Sequence, residues 1–148
     1  MSGDRPIVDE VDPAEACRLL ESDPDTALID VRTRAEWAFI GLPDLSALGR
    51  PLWPVEWVAF PSMARNPEFV RELAARMDGK PPRRLFFICR SGSRSMAAAQ
   101  LVAATLAEQG VAAHCTNVGE GFEGDLDQDG HRGRVNGWKV RGLPWRQN

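Results

Sequence analysis

The chain has 148 residues, 43% of them hydrophobic and 26% charged, with a formal net charge of −3. That length and balance suit one soluble domain with a sizeable core. They argue against nucleic acid or an anionic membrane surface as a partner.

Residues 1–10 are read as a flexible N-terminus, and Met1–Arg5 opens no apolar signal region. No run approaches the ~18 apolar residues of a membrane helix. Asp12-Pro13-Ala14-Glu15 is a helix start: Asp12 caps, Pro13 fits the first position and Glu15 can reach back. Ala16, Leu19 and Leu20 then face the core at helical spacing, with Cys17 packing beside them. Asp23-Pro24-Asp25 breaks the chain, and Ala27–Val31 reads as a buried strand. Asp30 and Arg32 flank its C-terminal end, and Asp30 can cap a short helix containing Glu36 and Trp37.

Trp53 and Trp57 lie in a proline-interrupted stretch. They are read as core or lid packing, with a short strand within Leu52–Val58 that proline would confine to a sheet edge. Asn66-Pro67-Glu68 starts a helix whose stripe is Phe69, Val70, Leu73 and Met77, stopped by Gly79. Four apolar residues, Leu85 to Ile88, predict a strand covered on both faces, as in parallel sheets. An Ala-rich helix ending at Gly110 follows, then a last parallel strand over Val111–Val118. The architecture predicted is α/β, with a central, mostly parallel sheet of about five strands and helices on both faces.

Between the apolar strand and the Ala-rich helix lies Cys89-Arg90-Ser91-Gly92-Ser93-Arg94-Ser95. A strand end is where open α/β sheets bind ligands. Backbone N–H groups in such a turn, backed by a helix N-terminus, form a donor site for an anion. A free cysteine titrates near pKa ~8.5, and this setting is expected to lower it, making Cys89 a nucleophile. Arg90 and Arg94 add positive charge, Gly92 permits φ > 0, and Ser91, Ser93 and Ser95 offer hydroxyl bonds or helix caps. The three cysteines, Cys17, Cys89 and Cys115, match no metal or disulfide framework. Reduced thiols, a cytoplasmic location and no metal or other cofactor are expected. His114 and Cys115 have no metal spacing either.

Gly119-Glu120-Gly121-Phe122 follows the last strand and falls at the same edge as Cys89. Asp125–Gly130 imitates the start of a calcium loop, but its twelfth position is Asn136 rather than a bidentate Glu, so a solvated loop is the reading. Trp138 and Trp145 are expected to anchor 123–148 as a C-terminal extension.

The Cys89–Ser95 loop resembles the active-site loop of single-domain rhodaneses, the thiosulfate sulfurtransferases. Ala27-Leu28-Ile29-Asp30-Val31-Arg32-Thr33, with Glu36-Trp37, resembles that family's Asp-Val-Arg signature, and Gly142-Leu143-Pro144 its closing Gly-Leu-Pro. The likeness runs from about Val11 to Trp145. It departs at Phe39–Pro43, where many members carry Gly-His-Ile-Pro-Gly-Ala.

The resemblance implies one rhodanese-like domain over 1–148 and transfer of sulfane sulfur from thiosulfate or a similar donor through a Cys89 persulfide. Arg90, Ser91, Gly92, Ser93 and Arg94 would bind the donor; Asp30, Arg32 and Ser95 would support the loop. Partners would be a small anionic sulfur donor and a thiol, cyanide or protein acceptor, with a monomer or weak dimer as the oligomeric state. Two other readings stand beside it. A non-catalytic or regulatory module would usually lose the cysteine. A cysteine phosphatase would place five residues between cysteine and arginine, whereas four separate Cys89 from Arg94.

Overall fold

The computed structural model describes residues 7–147. Its elements are β1 (Asp9–Val11), α1 (Pro13–Ser22), β2 (Thr26–Asp30), α2 (Arg34–Phe39), β3 (Leu42–Pro43), β4 (Leu52–Pro54), β5 (Val58–Ala59) and β6 (Ala64–Arg65). Then come α3 (Phe69–Met77), β7 (Arg84–Ile88), α4 (Ser93–Glu108), β8 (His114–Val118) and β9 (Trp145–Arg146). Five strands form one parallel sheet in the order β1-β8-β7-β2-β4. Two antiparallel pairs, β3–β9 and β5–β6, flank it.

β7 sits at the centre, as its unbroken apolar run predicts. Its side chains alternate between the faces. Leu85 and Phe87 join Phe69 and Leu73 of α3 and Ala98, Ala99, Val102 and Leu106 of α4 on one face. Phe86 and Ile88 join Ala16 and Leu20 of α1, with Phe122 and Trp138, on the other. Burying both sides of a strand leaves its C-terminal end as the place where a polar loop can emerge, and Cys89 follows directly.

Asp12 caps α1, its carboxylate accepting from the Glu15 N–H at 2.8 Å. Glu15 does not reach back; it turns to Arg18 one turn on, where two opposite charges meet at 2.6 Å. α3 ends with Asp78 and Gly79 both at positive φ. β4 is an edge strand containing Pro54, which has no N–H to give to a further neighbour. The stretch expected as one strand over Leu52–Val58 divides into β4 and β5, and the last parallel strand starts at His114 rather than Val111.

The N-terminus differs from expectation. Residues 1–6 lie outside the described residues, but Asp9–Val11 is a sheet strand paired with β8. Its side chains are used: the Thr116 hydroxyl donates to Asp9 at 2.6 Å and the Asn117 amide to Glu10 at 2.8 Å. After Phe122 the chain returns to the α1 face. Trp138 is fully buried there and its indole N–H donates to the Pro144 carbonyl at 2.7 Å. Among the described residues no helix is long and apolar enough to cross a membrane.

Candidate active site

Cys89 is 1% exposed. The loop it opens is held by its carbonyls. Cys89 O accepts from the Phe122 N–H at 2.8 Å, and Arg90 O accepts from the N–H groups of Glu123 and Gly124 at 3.0 and 3.1 Å. In a trans peptide the N–H points opposite to the C=O. Anchoring these two carbonyls on the 122–124 turn therefore directs the Arg90 and Ser91 amides away from it. One amide further, the Gly92 N–H donates to the Cys89 sulfur at 3.1 Å. Gly92 has φ +117° and is the N-cap of α4, so neither Ser91 nor Ser93 caps that helix. Gly121 is required by proximity: a Cβ there would lie 2.5 Å from the Arg90 carbonyl oxygen.

Ser95 is buried, and its Oγ lies 3.2 Å from the Cys89 sulfur, 3.2 Å from Gly92 O and 2.6 Å from Asn117 Oδ1. Asn117, also buried, donates its amide to Glu10 and to Gly92 O. Sequence reasoning passed over Asn117 and Glu10. A polar residue near the C-terminal end of an otherwise buried strand was the available signal.

Arg94, expected from the sequence to bind an anion, makes a two-point pair with Glu36, at 2.8 and 2.9 Å. Glu36 also accepts from the Thr33 N–H and hydroxyl while Thr33 caps α2, a reciprocal capping box. Burial works against the Glu36 carboxylate, but the Arg94 and Thr33 hydrogen bonds outweigh it and hold its pKa at about 2. Burial likewise opposes the Arg94 charge, and Glu36, with Cys89 and Asp30 further along, raises its pKa above the usual guanidinium value. Arg90 is solvent-exposed.

Asp30 and Arg32 form a wholly buried pair: Arg32 Nη2 reaches Asp30 at 2.6 Å, Arg32 Nε reaches it at 2.9 Å, and Nη2 also donates to Gly41 O at 2.8 Å. The guanidinium lies 4.2 Å over the Phe122 ring. Arg32 thus joins the end of β2, the segment before β3 and the turn that anchors the Cys89 loop. Asp30 does not cap α2, because Thr33 does.

The other chemistry-bearing residues lie elsewhere. His114 pairs with Arg84 across the strands and meets Asp9 at 3.0 Å, at the sheet edge opposite Cys89. Burial pushes the Cys115 thiol up to about 12, with Asp9 adding to it, and burial also raises Cys17. Asp125 and Asn136 bond each other across their loop, and Asp127 accepts from the amides of Asp129 and His131. These acids serve their own turns. A cleft of about 480 Å3 opens between α2, α3 and β5–β6, lined by Arg34, Trp37, Glu56, Arg65 and Arg76 among others. No residue of the Cys89–Ser95 loop lines it and it holds no nucleophile, so the candidate site is placed at Cys89 on chemistry rather than on cavity size.

No protein-family model matches the chain. It is 32% identical to an uncharacterised protein of Rickettsia prowazekii over 139 residues, 94% of this chain and 98% of that one. An uncharacterised protein of Rickettsia conorii is 33% identical over 138 residues, covering 93% and 97%. Among solved structures, Rv0390 from M. tuberculosis superimposes with a TM-score of 0.81 at 42% identity, over 95% of this chain and 98% of that one. The polysulfide-sulfur transferase homodimer of Wolinella succinogenes shares the fold, with a TM-score of 0.60 at 22% identity, over 95% and 80%. The chain belongs to one family with Rv0390 and these Rickettsia proteins, and its fold is rhodanese-like. The Phe39–Pro43 segment has structural work in this chain: Gly41 O accepts from Arg32 Nη2, and β3 pairs with β9.

Proposed function

We propose that the chain is a sulfurtransferase in which Cys89 carries sulfane sulfur as a persulfide. The observation that supports this reading is the Gly92 N–H directed at the Cys89 sulfur, at the C-terminal edge of the sheet and the N-terminus of a helix of 16 residues. Such donors favour a sulfur that bears negative charge, whether thiolate or terminal persulfide.

With thiosulfate as donor the steps balance. The Cys89 thiolate attacks the outer sulfur, a new S–S bond forms, the thiosulfate S–S bond breaks and sulfite leaves with its electron pair. An acceptor thiolate then attacks the terminal sulfur of the persulfide and restores Cys89. Both steps are nucleophilic displacements and consume no oxidant. Loop amides and Arg90 hold the donor, while Arg94, tied to Glu36, braces the loop. The donor is a small anionic sulfur compound and the acceptor a thiol, free or on a protein. The pairing of Arg94 with Glu36 also weighs against phosphoryl transfer, which needs that guanidinium on the substrate.

Incubation with thiosulfate should add one sulfur atom to the intact mass, and Cys89→Ala should abolish the addition. An adduct that persists in the variant, or maps to Cys17 or Cys115, would remove the assignment.

A further inference from the structure

The Ser95 hydroxyl has one proton and three acceptors in reach: Asn117 Oδ1 at 2.6 Å, and the Cys89 sulfur and Gly92 O at 3.2 Å each. The shortest contact takes the proton. That contact exists because Asn117 is oriented. Its nitrogen donates to Glu10 Oε1 at 2.8 Å and to Gly92 O at 3.1 Å. Turning the amide over would set its oxygen against two acceptors, so Oδ1 must face Ser95. With its proton on Asn117, Ser95 presents lone pairs to Cys89. It can then accept from a thiol S–H but cannot donate to a thiolate. Donation to the sulfur requires the hydroxyl to swing away from Asn117.

We propose that Asn117 and Glu10 are positioning residues for Cys89, holding the Ser95 proton off the sulfur so that ionisation of the thiol is coupled to rotation of one buried hydroxyl. Among the described residues, the charged groups on the elements packed against the loop are Asp30, paired with Arg32 at the end of β2, Glu36 of α2, paired with Arg94 of α4, Glu120 of the following turn, paired with Arg141, and Glu123 of the same turn, whose N–H donates to Arg90 O. Arg90 is exposed on the loop. Glu10, from β1, enters through the Asn117 amide. The proposal takes Cys89 as the nucleophile, but its test reads ionisation without sulfur transfer, so either idea can fail alone.

The measurement is the pH dependence of iodoacetamide alkylation mapped to Cys89 in the full chain. Asn117→Ala frees the Ser95 proton for the sulfur, and its midpoint should move to lower pH by roughly half to one pH unit, the worth of one hydrogen bond. Glu10→Ala removes one of the two acceptors that orient the amide and should move it the same way by less. Glu10→Gln keeps an acceptor for Asn117 and should restore the wild-type profile. Ser95→Ala should erase the effect of Asn117→Ala when the two are combined. A midpoint that rises or stays fixed in Asn117→Ala, or an equal displacement in the Ser95→Ala background, would overturn the proposal. Should Asn117→Ala fail to fold, Glu10→Ala, on an exposed edge position, carries the same test of sign.

Discussion

Beside Cys89, the residue that decides how the loop is held is Glu36. It closes the α2 capping box and pins Arg94 at once. Its folded pKa of about 2 lies below the ordinary 4.5, so the folded state binds its proton less readily than the unfolded chain. The stabilisation from this carboxylate is therefore complete above about pH 4.5 and is lost as pH falls toward 2. Glu36→Gln should lower the unfolding free energy by roughly 2 kcal/mol at pH 7. The gap from wild type in urea titrations should narrow between pH 4.5 and 2; a gap independent of pH would show that the charge is not what matters. Arg94→Ala should lose most sulfur transfer through a loosened loop, and Arg94→Lys should recover little because one ammonium cannot make the two-point pair. Arg34→Ala, at an exposed position, should leave transfer near wild type. Cys89, Asp30 and Arg32 are legible in sequence because each stands in a short local pattern. The partner of Arg94 is not, being 58 residues away, nor is the Glu10–Asn117 bond across 107. Nothing in a linear spacing encodes those pairings, whereas register and helix placement do.

At the scale of elements, β7, α1, α3 and α4 are readable because periodicity or an unbroken apolar run spans each of them. β1 is not: it has three residues, two of them acidic, and its reason for being a strand is an edge of β8 that the sequence reader cannot see. The pairs β3–β9 and β5–β6 are two residues per strand and escape for the same reason. What the elements must do together is press the 119–124 turn onto the Cys89 loop, and Gly121 is the point of contact. A Cβ there meets the Arg90 and Cys89 carbonyl groups at 2.5–2.6 Å, against backbone that cannot swing aside. Gly121→Ala should cost about 1 kcal/mol in backbone strain and roughly 1–3 kcal/mol more from the clash, and should abolish persulfide formation. Gly49 has a comparable φ of +68° but nothing within 4 Å of an added Cβ. Gly49→Ala should cost about 1 kcal/mol and leave the site active. Thermal unfolding and the intact-mass assay together distinguish the pair; equal damage from both would mean that backbone conformation, not closeness, governs the turn.

Over the whole molecule, the site depends on a segment far from it in sequence. The α3–α4 face of the sheet is covered by two amphipathic helices. The α1 face has one helix, and Trp138 fills what α1 leaves open. Its backbone N–H donates to Gly121 O at 2.8 Å, and Lys139 N–H donates to Phe122 O at 3.1 Å. The C-terminal segment therefore both completes the core and ties down the turn whose amides hold Cys89 O and Arg90 O. Trp138→Ala should cost about 3–5 kcal/mol through the cavity it leaves. Trp138→Phe loses the bond to Pro144 and part of the volume, and should cost about 1–2 kcal/mol. The damage should also be uneven. β7 is locked between two strands, so its amides exchange only on global unfolding, while the turn opens locally once its tether is gone. In hydrogen exchange of Trp138→Ala, the Phe122, Glu123 and Gly124 amides should lose more protection than those of Leu85 to Ile88. Uniform loss across both groups would show that Trp138 acts on global stability alone, and that the turn keeps its hold on the loop without the C-terminal segment.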